Sequence, residues 1–413
     1  MSSLLPLADL TPAKRLDLPD APLCGRCGLW KTCLSPKMKP YGKGKLGVLV
    51  VGEAAGRNED ERGRPFIGDA GNCLRQELRS IGVDLDEDCW TVNSLSCRPP
   101  GNKEPTAKQI HYCRPLVQRA INEYQPNAIL LLGAAAVSSV IGLAWGKGGL
   151  KGKDAKVGGV NRWLGYTIPS QVPNAWLVPT YSPLDIIEAH EKSREPPMEA
   201  FYWRKHLEGC FAITRKPWNG PPDYPSRCKS VMDERMAASY VRGMIGSNPI
   251  AWDIETDRLK PDHPKSSIIC CSVSDGNTSI AFPWTNVTRA AMSELLTSPT
   301  PKWGWNSSFE EGWCLKEFGH GVTNWQLDGM LVAHVLDNKP GTKSLKFQAF
   351  ARLGQPAYDD DVKPYFQADT GNTENRIREL TRSDGGWRKC LRYCAMDSLL
   401  EYELCSLMRE ELT

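Results

Sequence analysis

Residues 46–56, LGVLVVGEAAG, set a run of apolar side chains directly ahead of a glycine-rich loop. A run with no polar alternation reads as a strand covered on both faces, the kind found in parallel sheets. The segments downstream repeat the theme. A helix is expected over 69–81, and CWTVNSLS (89–96) reads as a second strand. A helix over 106–124 follows, opened by a Thr cap after Pro105. AILLLG (128–133) and AWLVPTYS (175–182) supply two further strands. Strands alternating with helices predict a mostly parallel sheet with helices on both faces, a three-layer α/β/α domain. The uncharged stretch 128–145, AILLLGAAAVSSVIGLAW, has the minimum length of a membrane span. Half of it is small residues, so it reads as a strand, a Gly turn and a helix, and no membrane segment is expected.

The character changes at ITRKPWNGPPDYPSRCKS (213–230), rich in Pro and polar residues. Beyond it, NPIAWDIETD (248–257), IICCSVSD (268–275) and TSIAFPW (278–284) read as three consecutive strands, with helical patterns from there to the end. The expected division is a first domain over 1–212, a linker over 213–244 and a second α/β domain over 245–413. With 413 residues, 41% hydrophobic and 24% charged, the chain is not a disordered or collagen-like protein. Net charge is +3, unevenly spread: residues 1–220 carry 29 Lys+Arg against 22 Asp+Glu, and 221–413 carry 22 against 26. The basic half suits a polyanion, the acidic half bound cations.

Fifteen cysteines ask for an explanation. The N-terminal sequence lacks the basic-then-apolar order of a signal peptide, which predicts a cytoplasmic protein with reduced thiols and favours metal ligation over disulfides. Cys24 and Cys27 form a C-x-x-C, and Cys97 and Cys113 lie 16 apart further on. Four thiolates at this spacing suit zinc or an iron–sulfur cluster, and spacing alone leaves both open, along with no metal at all.

The order Cys24-x-x-Cys27, VGEAAGRNED (51–60), GRPFIGDAG (63–71), VNSLSCRPP (92–100) and Cys113 resembles the family 4 uracil-DNA glycosylases, over about residues 20–210. The resemblance implies a [4Fe-4S] cluster on Cys24, Cys27, Cys97 and Cys113, with Cys33 outside the pattern. It implies that Glu53 and its loop stand on the water and phosphate side of the site, that Phe66 stacks on uracil and that Asn93 reads its amide edge. Such chemistry extrudes the base into a pocket and stabilises it as it leaves. Two departures stand out. Ala55 replaces the proline of the family's loop, and Ser182-Pro183 replaces its late His-Pro, removing a donor that supports the departing base. His190 is the nearest later histidine. Loop 146–162, GKGGLKGKDAKVGGVNR, reads equally as phosphate-facing or merely solvated.

In the second domain, Asp253 and Glu255 stand two apart on IAWDIET, so both leave one face of the strand. Paired carboxylates on an apolar strand repel each other unless a cation holds them. Tyr393 and Asp397 are four apart in the helical RYCAMDSLLEYEL (392–404), and KWGWNSSFEEG (302–312) offers Asn306 and Glu310. This order resembles the DEDDy exonucleases, RNase H-like α/β domains such as the proofreading domain of bacterial DNA polymerase I. The resemblance implies two Mg²⁺ or Mn²⁺ ions, roughly 3.5–4 Å apart, on Asp253, Glu255, Glu310 and Asp397. One generates hydroxide, the other stabilises the leaving 3′ oxygen, and Tyr393 orients the attacking water. Glu310 stands where the family carries aspartate, and Asp328 reads as a structural member of its helix. None of the polymerase motifs is present, so the resemblance leaves two settings: a separate polymerase subunit, or independent work on single-stranded DNA or 3′ ends. The leading expectation is a bacterial or bacteriophage 3′→5′ exonuclease carrying an iron–sulfur glycosylase-like domain, for replication or repair. The alternatives are an active uracil glycosylase with exonuclease trimming, and a non-catalytic polymerase accessory subunit.

Overall fold

The computed structural model describes residues 21–145, 157–216, 220, 222–246, 248–367 and 373–413. Residues 146–156 of the basic glycine loop lie outside this set. The chain divides into two compact units, one built on residues 13–221 with 350–356, the other on 222–349 with 357–413.

The first unit is organised by β1 (Val48–Ala54), with β2 (Cys89–Leu95) and β3 (Ala128–Leu132) parallel to it on either side. Past β3 lie β4 (Ile168–Ser170) and β5 (Ala175–Thr180), giving the order β2-β1-β3-β5-β4 with only β4 antiparallel. Alternation across the pleat explains why β1 and β3 read as unbroken apolar runs. Val48, Val50, Ala128 and Leu130 face a core completed by Leu74 and Leu78 of helix Asp69–Ser80 and by Trp203 and Leu207 of helix Met198–Ile213. Leu49, Val51, Ile129 and Leu131 are equally buried on the other side, where helices Ala107–Tyr124 and Gly133–Ala144 pack. The Thr106 hydroxyl accepts from Gln109 N at 3.3 Å, the expected cap. At the strand-to-helix turn Gly133 adopts φ +81°, a conformation that favours glycine.

The second unit begins inside the stretch expected to be linker. Strand β6 (Cys228–Ser230) pairs parallel with β9 (Ser279–Pro283), and helix Glu234–Gly243 buries Ala237, Ala238 and Val241 in the core. A three-residue strand with Lys229 at its centre carries too little pattern to be read from sequence. The three expected strands are β7 (Ile250–Thr256), β8 (Ile268–Ser274) and β9, antiparallel in succession. Two further strands, β10 (Lys302–Gly304) and β11 (Trp325–Asp328), interrupt what was expected to be wholly helical and complete the order β11-β10-β7-β8-β9-β6. One face of β7, carrying Ile250, Trp252 and Ile254, packs on helix Asn286–Thr297. The long C-terminal helix Gly386–Leu412 lies across the sheet, against β7, β8 and β9. Because side chains alternate along a strand, Asp253 and Glu255 belong to the face opposite Trp252. No helix among the described residues is long and apolar enough to cross a membrane.

Candidate functional site

In the second unit the sequence-predicted carboxylates converge from three elements. β7 supplies Asp253 and Glu255, the first turn of helix Ser308–Phe318 supplies Glu310, and the C-terminal helix supplies Tyr393 and Asp397. Glu310, Tyr393 and Asp397 are buried, and Asp253 and Glu255 are half-buried. Burial pushes the carboxyls of Asp253, Glu255 and Glu310 well above the usual carboxylate range. The charge of Asp397 adds to this at Asp253, and that of Asp253 adds to it at Glu255 and Glu310. Burial raises Asp397 as well, opposed by Lys346. Such a constellation is costly without cations, and it fits them: Glu310 Oε2 is buried with no hydrogen-bond partner.

Asp328 has the structural role expected of it. Its carboxylate caps helix Gly329–Leu336, accepting from Met330 N at 2.9 Å, and accepts from Asn306 N and Ser307 N at 3.1 and 2.8 Å. These bonds hold the turn before Glu310, where Asn306 takes a left-handed φ of +68°.

Four residues of this site went unremarked in the sequence. Lys346 donates to the Tyr393 hydroxyl and lies 3.9 Å from Asp397 Oδ2. The Tyr358 hydroxyl donates to Asp397 Oδ1. The Cys394 thiol donates to Asp253 Oδ2 at 3.6 Å, and ligand atoms of Asp253, Glu255 and Cys394 all lie within 4.8 Å of one another. Glu401, one helical turn past Asp397, is buried at 2% exposure. Only Glu401 had a sequence signal, its i+4 spacing from Asp397. Lys346 and Tyr358 are brought in from segments 47 and 39 residues distant from their partners.

In the first unit, Cys24, Cys27, Cys97 and Cys113 line one cavity with Leu29, Trp30 and Leu95. Backbone N–H groups of Lys37 and Ser96 donate to the sulfurs of Cys97 and Cys113 at 3.3 and 3.4 Å. Four thiols around one cavity, two of them accepting backbone N–H groups, fit a metal centre held by cysteine. Cys33 is half-buried in the same apolar cluster and close enough to Cys97 to raise its thiol, so it is neither remote nor fully buried.

The pocket residues expected for a base also converge. Asn93 on β2 is 6% exposed, and its Nδ2 has no hydrogen-bond partner. Beside it, Gly52 leaves room that a side chain would fill. A Cβ there would stand 2.5 Å from Asn93 Oδ1 and 2.6 Å from Phe66 Cζ. Phe66 itself takes φ +58° and is held at both ends of its backbone. Its N–H donates to Glu59 Oε1 at 2.5 Å, and its carbonyl accepts from Arg75. Glu59 also accepts from Gly56 N, so one buried carboxylate ties the β1 loop to Phe66; sequence reasoning passed over it. Glu53, half-buried at the end of β1, is raised by burial, with Glu104 and Asp185 adding. Ser182 is spent as a helix cap, its Oγ accepting from Leu184 N at 3.2 Å. His190 is exposed in the last turn of that helix, two turns away.

Comparison with known proteins divides the chain at the same place. Residues 39–205 match the family model of the uracil DNA glycosylase superfamily, and residues 228–413 that of the 3′-5′ exonuclease. The type-4 uracil-DNA glycosylase of Archaeoglobus fulgidus is 38% identical over 120 residues, covering 29% of this chain and 59% of that protein. The type-4 enzyme of Thermotoga maritima is 39% identical over 99 residues, 24% of this chain and 51% of that protein. The chain thus spans between half and 60% of these curated relatives. Among solved structures, Escherichia coli RNase D aligns at 17% identity and a TM-score of 0.34, with 44% of each chain covered. One part of the chain is thus similar to the uracil DNA glycosylase superfamily and the other to 3′-5′ exonucleases.

Proposed function

We propose that this chain digests DNA from the 3′ end with divalent cations held in its second unit, and that its first unit is an iron–sulfur DNA-binding module that reads a base. The observation that carries the first half is the gathering of Asp253, Glu255, Glu310 and Asp397 beside Tyr393, each acting on another's charge. Their oxygens would hold Mg²⁺ or Mn²⁺, which when bound activate water and offset charge on the leaving 3′ oxygen. The chain's own part is positioning. Tyr393 orients the incoming water, and Lys346 fixes the Tyr393 hydroxyl. Tyr358 and Lys346 together anchor Asp397.

For the first unit, Cys24, Cys27, Cys97 and Cys113 would ligate a [4Fe-4S] cluster, with the Lys37 and Ser96 N–H groups tuning it. Phe66 and the free Asn93 amide supply a stacking face and a donor for a base, uracil being the one its relatives' names suggest. Excision is the weaker part of the reading, because Ser182, whose Oγ accepts from Leu184 N, offers the departing base no cationic donor such as a histidine would. Losing one preorganised donor costs about 10²–10³ in rate. A replication or repair setting in the cytoplasm of a bacterium or phage-infected cell, and a separate polymerase subunit, remain part of this proposal. Asp253→Ala and Asp397→Ala should abolish Mg²⁺-dependent 3′ digestion while iron content and fold persist. Full digestion by both variants would refute the assignment.

A further inference from the structure

Tyr393, Asp397 and Glu401 recur every fourth residue on the C-terminal helix, so they share one face. Glu401 is only 2% exposed, and its Oε2 has no hydrogen-bond partner. The same is true of Glu310 Oε2, on a residue 3% exposed. Burial raises the Glu401 carboxyl well above the ordinary range, and the charges of Asp253, Glu310 and Asp397 add to it. No cation pairs with Glu401 among the described residues; the ammonium in this region, Lys346, is engaged by Asp397 and Tyr393. A buried carboxylate oxygen left without donor or counter-ion is unusual in a folded protein and marks a place built for something else.

We propose that Glu401 is a fifth carboxylate of the cation centre, sharing with Glu310 the ion on that side of the site. The inference rests on the exonuclease reading above and adds a ligand to it. Glu310, longer by one methylene than the aspartate expected there, lies near enough for its charge to act on Glu401.

The test is Mn²⁺ binding by the full chain, stripped of divalent ions, followed by calorimetry and by the Mn²⁺ paramagnetic signal. The wild type is compared with Glu401→Gln, Glu401→Asp and Asp253→Asn. Melting in EDTA reports folding, and Glu401→Gln, a neutral isostere of the buried acid, should melt no lower than wild type. The expected result is two Mn²⁺ in the wild type and one ion lost or weakened at least tenfold in Glu401→Gln, with partial recovery in Glu401→Asp. If Glu401→Gln binds both ions as the wild type does while Asp253→Asn loses one, Glu401 is a neutral core acid and the inference fails. Should Asp253→Asn also bind unchanged, the cation centre itself is misplaced and both readings fall.

Discussion

The Lys346 ammonium donates to the Tyr393 hydroxyl from 47 residues away in the chain, and the same ammonium lies 3.9 Å from Asp397. One ammonium therefore engages both side chains that the proposed reaction would use, Tyr393 to orient water and Asp397 to hold a cation. Its charge also opposes the upward shift of the Asp253, Glu255 and Asp397 carboxyls.

Lys346→Met should thus lower 3′ digestion by roughly 10²-fold, the scale for one preorganised donor. Without the ammonium those carboxyls rise further, so the acid limb of the pH–rate profile should move to higher pH. A variant with a reduced rate but an unmoved acid limb would confine Lys346 to holding Tyr393.

The raised carboxyls also make stability depend on pH. Asp253, Glu255, Glu310 and Glu401 bind protons more tightly folded than unfolded. Their contribution is therefore fully present below the ordinary carboxylate range and is lost as pH rises through their elevated folded values. Ion-free protein should melt higher at about pH 5 than at about pH 8, with Mn²⁺ erasing the difference by binding the ionised acids. Equal melting of the second unit in EDTA at both values would mean that the carboxyls are not buried together.

In the first unit the decisive position is Gly52. A methyl there would meet Asn93 Oδ1 and the Phe66 ring at 2.5 and 2.6 Å. Overpacking of this sort costs about 1–3 kcal/mol. Gly52→Ala should weaken binding of a uracil-containing strand by about tenfold or more, the scale of one methylene in a tight pocket. Iron content and Mg²⁺-dependent digestion should be unchanged. Unaltered binding would place the base elsewhere.

Cys113→Ala removes one of four thiols lining the cavity beside Leu95 and Leu116. The wild-type protein should be brown and contain iron, and the variant should lose both colour and iron and melt lower. Colourless wild-type protein with stoichiometric zinc would overturn the cluster.

How far the sequence carried this account can be traced residue by residue. The apolar runs of β1 and β3 announced a parallel sheet because both faces are covered, and Asp253 and Glu255 were visible through simple alternation. Strands β6 and β10 were not visible, since three residues cannot establish a period. The site was legible where its residues sit in one motif, as with Tyr393 and Asp397. It was illegible where folding imports a partner, as with Lys346 and Tyr358, or where a carboxylate serves the backbone, as with Glu59. Glu401 could have been found from its spacing and was overlooked because four acids already satisfied the pattern.

The most direct test of the central claim uses one 5′-labelled single strand with one internal uracil, incubated in Mg²⁺ or in EDTA and resolved after alkali. The account predicts a ladder of products shortened from the 3′ end in Mg²⁺, abolished by EDTA and by Asp253→Ala, with little or no cleavage at uracil. An intact strand in Mg²⁺, or a ladder that persists in EDTA, would contradict it.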